Sequence, residues 1–177
     1  MRALFPGQNE DEKIYIAVRE HPVLLFIKIL VWLIFVVILF AFRTYGPTAL
    51  PMLFEGTAGS VVSVLEQLYI IFLGLSLFII FTLYYLNMHI VTEMRIVDVD
   101  QIGLFKHTVS TLNIAQIEDV TSDTTGILGT IFDFGTIYIQ TAGARERFEM
   151  GNVPHPGALS KIIIDLFEKY QGHPIKH

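Results

Sequence analysis

The chain contains no cysteine, which removes disulfide staples, thiol catalysis, Cys-ligated zinc and iron–sulfur clusters together and leaves packing alone to hold the fold. Charge is scarce as well. Only 16% of the 177 residues are charged, and they include no run of Lys and Arg. With 12 Lys+Arg against 17 Asp+Glu the formal charge is −5; contact with a phosphate backbone needs clustered cations, so nucleic acid is excluded as a partner. Hydrophobic residues reach 53%, above the roughly 45–50% of a soluble domain. The excess is uneven: residues 1–86 carry 5 basic and 6 acidic side chains, and residues 87–177 carry 7 and 11. This asymmetry predicts a membrane segment followed by a polar domain, and it excludes a disordered or collagen-like chain.

Two long apolar runs fill the first half. Val23 to Phe42 is interrupted only by Lys28, and its 20 residues span about 30 Å as a helix, the hydrocarbon thickness of a bilayer. Lys28 lies near the N-terminal end, where its stem carries the ammonium back to the interface, and His21-Pro22 marks the helix start. A cleaved signal peptide does not fit, because a charged segment precedes the run and no small-x-small site follows it. Leu68 to Leu86 is free of charge and bounded by Tyr69, Tyr84 and Tyr85 as interfacial anchors. Upstream, Glu66 borders the hydrocarbon. Gly74 and Ser76 offer small surfaces for close packing against the first helix. The intervening stretch from Arg43 to Ser60, rich in Gly, Pro and Thr, reads as a loop. Arg2, Lys13, Arg19 and Lys28 precede the first span, Arg95 and Lys106 follow the second, and the loop has only Arg43; this bias predicts both termini in the cytoplasm.

The expected organisation is therefore a cytoplasmic segment over 1–20, transmembrane helices over 21–43 and 61–86, an extracytoplasmic loop over 44–60, a cytoplasmic domain over 87–172 and a tail over 173–177. In that domain, alternation and turn residues predict strands at Asn87–Thr92, Arg95–Gln101, Leu104–Asn113, Ile117–Asp123, Thr136–Ala142 and Arg145–Met150. Ile137 and Ile139 fall on one face of their strand, with Tyr138 and Gln140 on the other. Leu159, Ile162, Ile163, Leu166, Phe167 and Tyr170 form one helical face that Gly172 terminates, opposite Lys161, Asp165 and Lys169. A strand meander closed by this helix is an α+β domain of roughly ninety residues, large enough to fold without the spans.

The run from Ile90 to Gly143 resembles the bacterial membrane-flanked domain, a pleckstrin-homology-like (PH-like) module found beside transmembrane pairs, in its single-copy form. The matching phrases are T-x-x-R-hydrophobic at Thr92 to Ile96, G-hydrophobic-hydrophobic at Gly103 to Phe105, I-x-D-V at Ile117 to Val120, and the G-T to T-A-G ending from Gly135-Thr136 to Thr141-Ala142-Gly143. Asp133 stands where a Gly is more usual. The segment from Leu4 to Pro22 is similar to the family's lead-in. The resemblance implies a two-helix transmembrane hairpin followed by a bent antiparallel sheet or barrel capped by a C-terminal helix, on the cytoplasmic face of a prokaryotic inner (plasma) membrane. It implies no catalytic residues.

Chemistry has little visible seat. Asp98 and Asp100 share a strand face and, with His89 or His107, mimic a metal set, but surface acids on a strand are the commoner case. A calcium loop starting at Asp98 fails at its twelfth position, which is Val109. Gly126-Ile127-Leu128-Gly129-Thr130 lacks the Lys of a phosphate-binding loop, so its glycines serve turns and close packing, and no nucleotide is expected. Ser60, Ser63 and Ser76 have no neighbouring His, and the histidines show no catalytic pairing. No catalytic residue, cofactor or metal is assigned. The candidate binding residues are Arg145 and Arg147, alternating with Glu146 and Glu149 on a hairpin. The leading expectation is a non-enzymatic, membrane-anchored PH-like scaffold that binds a protein partner or its own copies, with the lipid bilayer as its setting. The alternatives are a lipid-headgroup sensor, disfavoured by the acidic balance and by the single Arg95 beside Glu93 where a phosphoinositide pocket would be basic, and an accessory subunit of a transport or enzyme complex using Lys28 or Glu66.

Overall fold

A computed structural model of the chain describes residues 12–103, 106–141 and 147–172. They divide into two units. One is the stretch 22–83, and the other joins the residues before it to those after it.

In the first unit, α1 (Pro22–Ala49) and α2 (Gly56–Leu86) are connected through a 3-10 turn at Pro51–Leu53. The stretch expected as a loop over 44–60 is thus mostly helical. Pro47 sits inside α1, and beside it Thr48 Oγ1 donates back to the Tyr45 carbonyl at 2.8 Å. The turn is tight. Phe54 folds over Gly46, where a Cβ would lie 2.5 Å from its ring, and its carbonyl sits where a Cβ on Gly59 would be, at 2.4 Å. Between the helices, Trp32 Nε1 donates to the Leu73 carbonyl at 3.0 Å and to Ser76 Oγ at 3.2 Å, and Tyr69 donates to the Phe35 carbonyl at 3.3 Å. Ser76 is therefore at the helix contact, while Gly74 faces open space.

The second unit contains two antiparallel sheets. β1 (Ile14–Val18), β2 (Met88–Thr92), β3 (Arg95–Ile102) and β4 (Lys106–Asn113) form one, in sequence order. β5 (Ile117–Asp123), β6 (Phe134–Thr141) and β7 (Phe148–Pro154) form the other. A 3-10 turn at Ile114–Gln116 separates them; Asn113 caps it through Ala115 N–H, and Ile114 drops fully into the core. A short helix α3 (Gly126–Phe132) links β5 to β6, and α4 (Pro156–Gly172) closes the chain. The alternation in β6 predicts its faces correctly: Ile137 and Ile139 are wholly buried, Tyr138 is half-buried and Gln140 is exposed. They join Val91, Ile96, Leu112, Ile114, Met150 and Val153 in one core, sealed by Leu159, Ile163 and Leu166 of α4. Ile162, expected on the same stripe, stays 39% exposed at its margin.

Three elements depart from the sequence expectation. The first is β1, in a segment expected to carry no element: it pairs with β2, so the domain is not the continuous stretch 87–172. A bulge at Tyr15 breaks its alternation, placing Ile16 and Val18 on the main core and Ile14 on the opposite sheet face with Ile90 and Val97. The second is α3, where a broken turn region was expected. The third is β7, which begins three residues later than expected and runs through Gly151, Asn152 and Pro154, residues that read as breakers. They are tolerated because β7 is an edge strand and the β6–β7 register shifts between Gly135 and Ile137. Gly135 itself is required there, since a Cβ would lie 2.1 Å from the Asp123 carbonyl oxygen.

One polar cluster fastens β1 to the sheet. Glu12, with its side chain wholly buried, accepts from Arg95 Nε at 2.9 Å and Nη2 at 2.7 Å, and from Thr92 Oγ1 at 2.7 Å. Thr92 Oγ1 in turn accepts from the amides of Met94 and Arg95 across the β2–β3 turn. The T-x-x-R phrase is thus a socket for the lead-in carboxylate. The hydrogen bond to Glu12 holds the Arg95 guanidinium above its ordinary value. Loss of either partner is unequal: Arg95→Ala leaves a buried carboxylate uncompensated and should cost about 3–5 kcal/mol, whereas Glu12→Ala leaves a partly exposed guanidinium that water can reach and should cost about 1–3 kcal/mol. Denaturant unfolding of the full chain in detergent checks this order, and equal losses would contradict it.

Candidate functional site

The outer face of the three-stranded sheet carries the polar side chains that β5, β6 and β7 do not send into the core. Thr121 stands opposite Tyr138, Asp119 opposite Gln140, and Tyr138 opposite Glu149. Arg147, just before β7, joins Asp119, Thr121, Tyr138 and Gln140 around a cleft of about 30 Å³. Asp119 is held in place by its own turn, accepting from Val120 N–H at 2.9 Å and Thr121 Oγ1 at 3.4 Å. The volume is far below the roughly 300–1,000 Å³ of a small-molecule site, so the cleft can seat one side chain or a strand of a partner rather than enclose a ligand. Arg147 shares the face with the acids Asp119 and Glu149, which is the wrong balance for a phosphate. Of the two expected binding residues, Arg147 is on this face; Arg145 lies outside the described residues.

The open strand edges add to it. Among the described residues, β5 pairs only with β6, and β4 only with β3, so each has one edge without a strand partner, and α4 packs against β5. Glu118, Asp119 and Thr121 are exposed on β5.

The acids considered for a metal have a different arrangement. His89 and Asp98 pair across β2 and β3 on the core side, with Nδ1 and Oδ1 2.7 Å apart but out of line for a hydrogen bond. His89 Nε2 lies 3.3 Å from the Gly151 carbonyl, which spans the two sheets. His107 is opposite Gln101, away from this pair. Among the described residues no three His, Asp or Glu side chains are grouped to hold a metal ion. Burial, with the charges of Asp98 and Glu20, pushes the Asp100 carboxyl above its ordinary range against the opposing effect of His89.

A second His–Asp contact had no signal in the sequence. Asp133 Oδ2 meets His155 Nδ1 at 2.6 Å, and the His155 amide donates to the Asp133 carbonyl at 2.8 Å. Both residues have left-handed backbones, with φ of 53° and 48°; Asp133 ends α3 in the conformation for which Gly is favoured. Next to it, Phe134 stacks on His21 at 5.3 Å, and the His21 amide donates to the Asn152 carbonyl at 2.8 Å. Burial and the neighbouring His155 lower the His21 pKa, opposed by Asp133.

With this arrangement in view, residues 22–166 match the family described as Bacterial PH domain. The chain belongs to that family. No curated protein matches it. Among solved structures, it is similar to a DUF1696 family protein with a pleckstrin-homology domain from Shewanella loihica PV-4, at 16% identity over 46% of this chain and 70% of that one, with a TM-score of 0.37. A bacterial PH domain is in general a binding or scaffold module.

Asp100 gives the domain a pH dependence. Its folded carboxyl holds a proton more tightly than the unfolded one, so stability falls as pH rises from the ordinary carboxylate range through the raised value. Asp100→Asn should raise the melting temperature at pH 7, and the gain should vanish in acid below the ordinary range. A gain that persists there would refute electrostatic origin.

Proposed function

We propose that this chain is a non-enzymatic, membrane-anchored PH-like module that holds a protein partner, or further copies of itself, on the cytoplasmic face of a prokaryotic inner membrane. The anchoring rests on α1 and α2. With 28 and 31 residues they extend about 42 and 46 Å, beyond the roughly 30 Å of hydrocarbon. Only Gly46 in α1 and Leu73 in α2 are buried, whereas a core helix of a soluble protein would hide most of its length. The cationic flanks Lys13, Arg19, Lys28, Arg95 and Lys106, against Arg43 alone between the helices, support both termini facing the cytoplasm. Val18 at the end of β1 pairs with His89 at the start of β2, so the links to both helices leave one end of the sheet, as a spanning hairpin requires.

The observation that carries the binding function is the open edge of β5 beside the cleft of Asp119, Thr121, Tyr138, Gln140 and Arg147. An added strand would gain backbone hydrogen bonds from the edge and side-chain contacts from the face. A headgroup sensor is less well supported, since Asp119 and Glu149 oppose an anionic leaflet.

A photo-crosslinking residue at Gln140 in the full chain, activated in native membranes, should give a discrete protein adduct or a defined homo-oligomer, and the same residue at Lys161 on the outer side of α4 should not. Arg147→Glu should lower the yield roughly fivefold, corresponding to about 1 kcal/mol. Equal adducts at both positions, or adducts with lipid alone, would overturn the reading.

A further inference from the structure

Helix α3 is built inside out. Gly126–Phe132 contains no charged residue, and its large apolar side chains are outside: Ile127 is 80% exposed, Ile131 67%, Leu128 47% and Phe132 44%. At about 100° per residue these four cover an arc of about 140°. The residue that faces the domain is Gly129, buried so closely that a Cβ would lie 3.0 Å from the Phe134 carbonyl oxygen. A helix in a water-soluble domain presents the reverse order, with glycine out and isoleucine in.

The helix is nonetheless well fixed. Gly126 enters it at φ 84°, Thr130 Oγ1 donates to the Gly126 carbonyl at 3.0 Å, and the Asp133 backbone N–H closes it by donating to the Gly129 carbonyl. The apolar arc is therefore held outward by the backbone and is not a side of the core left unfilled.

Its place in the domain bears on what could cover it. Phe134, two residues beyond Phe132, stacks on His21, and the next residue after His21 is Pro22, the start of the apolar α1. The arc thus lies beside the point at which the chain leaves the domain for its first long apolar helix. Exposed Thr124, Thr125 and Thr130 border it with neutral hydroxyls.

We propose that α3 is an interfacial helix that seats on the bilayer, burying Ile127, Leu128, Ile131 and Phe132 among the headgroups and upper acyl chains and fixing how the domain stands on the membrane. The inference rests on α1 and α2 spanning the bilayer. Because the arc carries no charge, the contact depends on apolar burial and forms equally on zwitterionic lipid, which suits a chain of net charge −5.

The absence of cysteine makes the natural chain a direct background for labelling. An environment-sensitive fluorophore is attached to Ile127→Cys, Ile131→Cys, Val31→Cys in α1, or Lys161→Cys on α4, each in the full chain reconstituted into phosphatidylcholine vesicles with quencher groups placed near the headgroup or deep in the acyl chain. The α3 labels should be blue-shifted and lose about half their emission to the shallow quencher, Val31 should respond most to the deep one, and Lys161 to neither. With the label moved to Leu128→Cys, adding Ile127→Asp and Ile131→Asp should return it to the Lys161 level. Quenching at Val31 with none at α3 would overturn the proposal and leave the spanning helices standing; no quenching at Val31 would remove both. Blue-shifted α3 labels that no lipid quenches, with disulfide-linked dimers formed at the unlabelled cysteine, would assign the arc to a second copy and also overturn it.

Discussion

The buried carboxylate of Glu12 is the constraint on which the polar domain depends. An unpaired charge in that position would cost several kcal/mol, and it is tolerated because Arg95 gives two aligned donors and Thr92 a third. The partners are 83 and 80 residues apart in sequence, with both long helices between them. The domain is consequently discontinuous: β1 comes before the helical hairpin, and everything else comes after it. Closing a flexible loop of about seventy residues would cost roughly 4 kcal/mol or more. An antiparallel helical pair returns the chain near its starting point and reduces that cost, so formation of the hairpin and addition of β1 favour each other.

Toward the other end of the first sheet, where β2 begins, a second set of polar contacts runs to the second sheet. His89 and Asp98 face each other on the core side, and His89 reaches Gly151 on β7; His21, before α1, is tied to Asn152 and Phe134. Among the described residues the buried main core is made of Ile, Val, Leu and Met. Polar contacts thus fix the register toward both ends of the first sheet, while the core is held by apolar burial that is not directional.

What could be read from the sequence was periodicity. The two apolar helices, the α4 stripe and the alternating β6 were legible because each repeats a simple pattern over several residues. β1 was not: its bulge at Tyr15 interrupts a five-residue strand, and its pairing partner is beyond both helices. The helical residues after Arg43 were hidden by Gly46 and Pro47, which are breakers by propensity, although Gly46 is needed here because Phe54 packs over it. The candidate face was half legible. Tyr138, Gln140 and Arg147 follow from alternation, but their contact with Asp119 and Thr121 depends on the β5–β6 register, which shifts at Glu118. The Thr92–Arg95 phrase was visible as a resemblance, and only the fold gives it a physical task.

Comparing α3 with α4 shows that the exposure in α3 is specified by the sequence. The two helices occur in one domain and can be compared residue by residue. In α4, large apolar residues recur at intervals of three and four, so Leu159, Ile163 and Leu166 reach the core and Lys161, Asp165 and Lys169 remain outside. In α3 the residues available for the outer side are Ile, Leu and Phe, and the contact with the domain is made by a glycine too close to backbone to be replaced by any of them. Rotating α3 by half a turn would bring Ile131 or Phe132 against the Phe134 carbonyl, where Gly129 already leaves no room for a methyl group without displacement. The sequence therefore permits one orientation, with the apolar side out, and an exposed apolar patch of this kind marks a site of interaction rather than a solvated face.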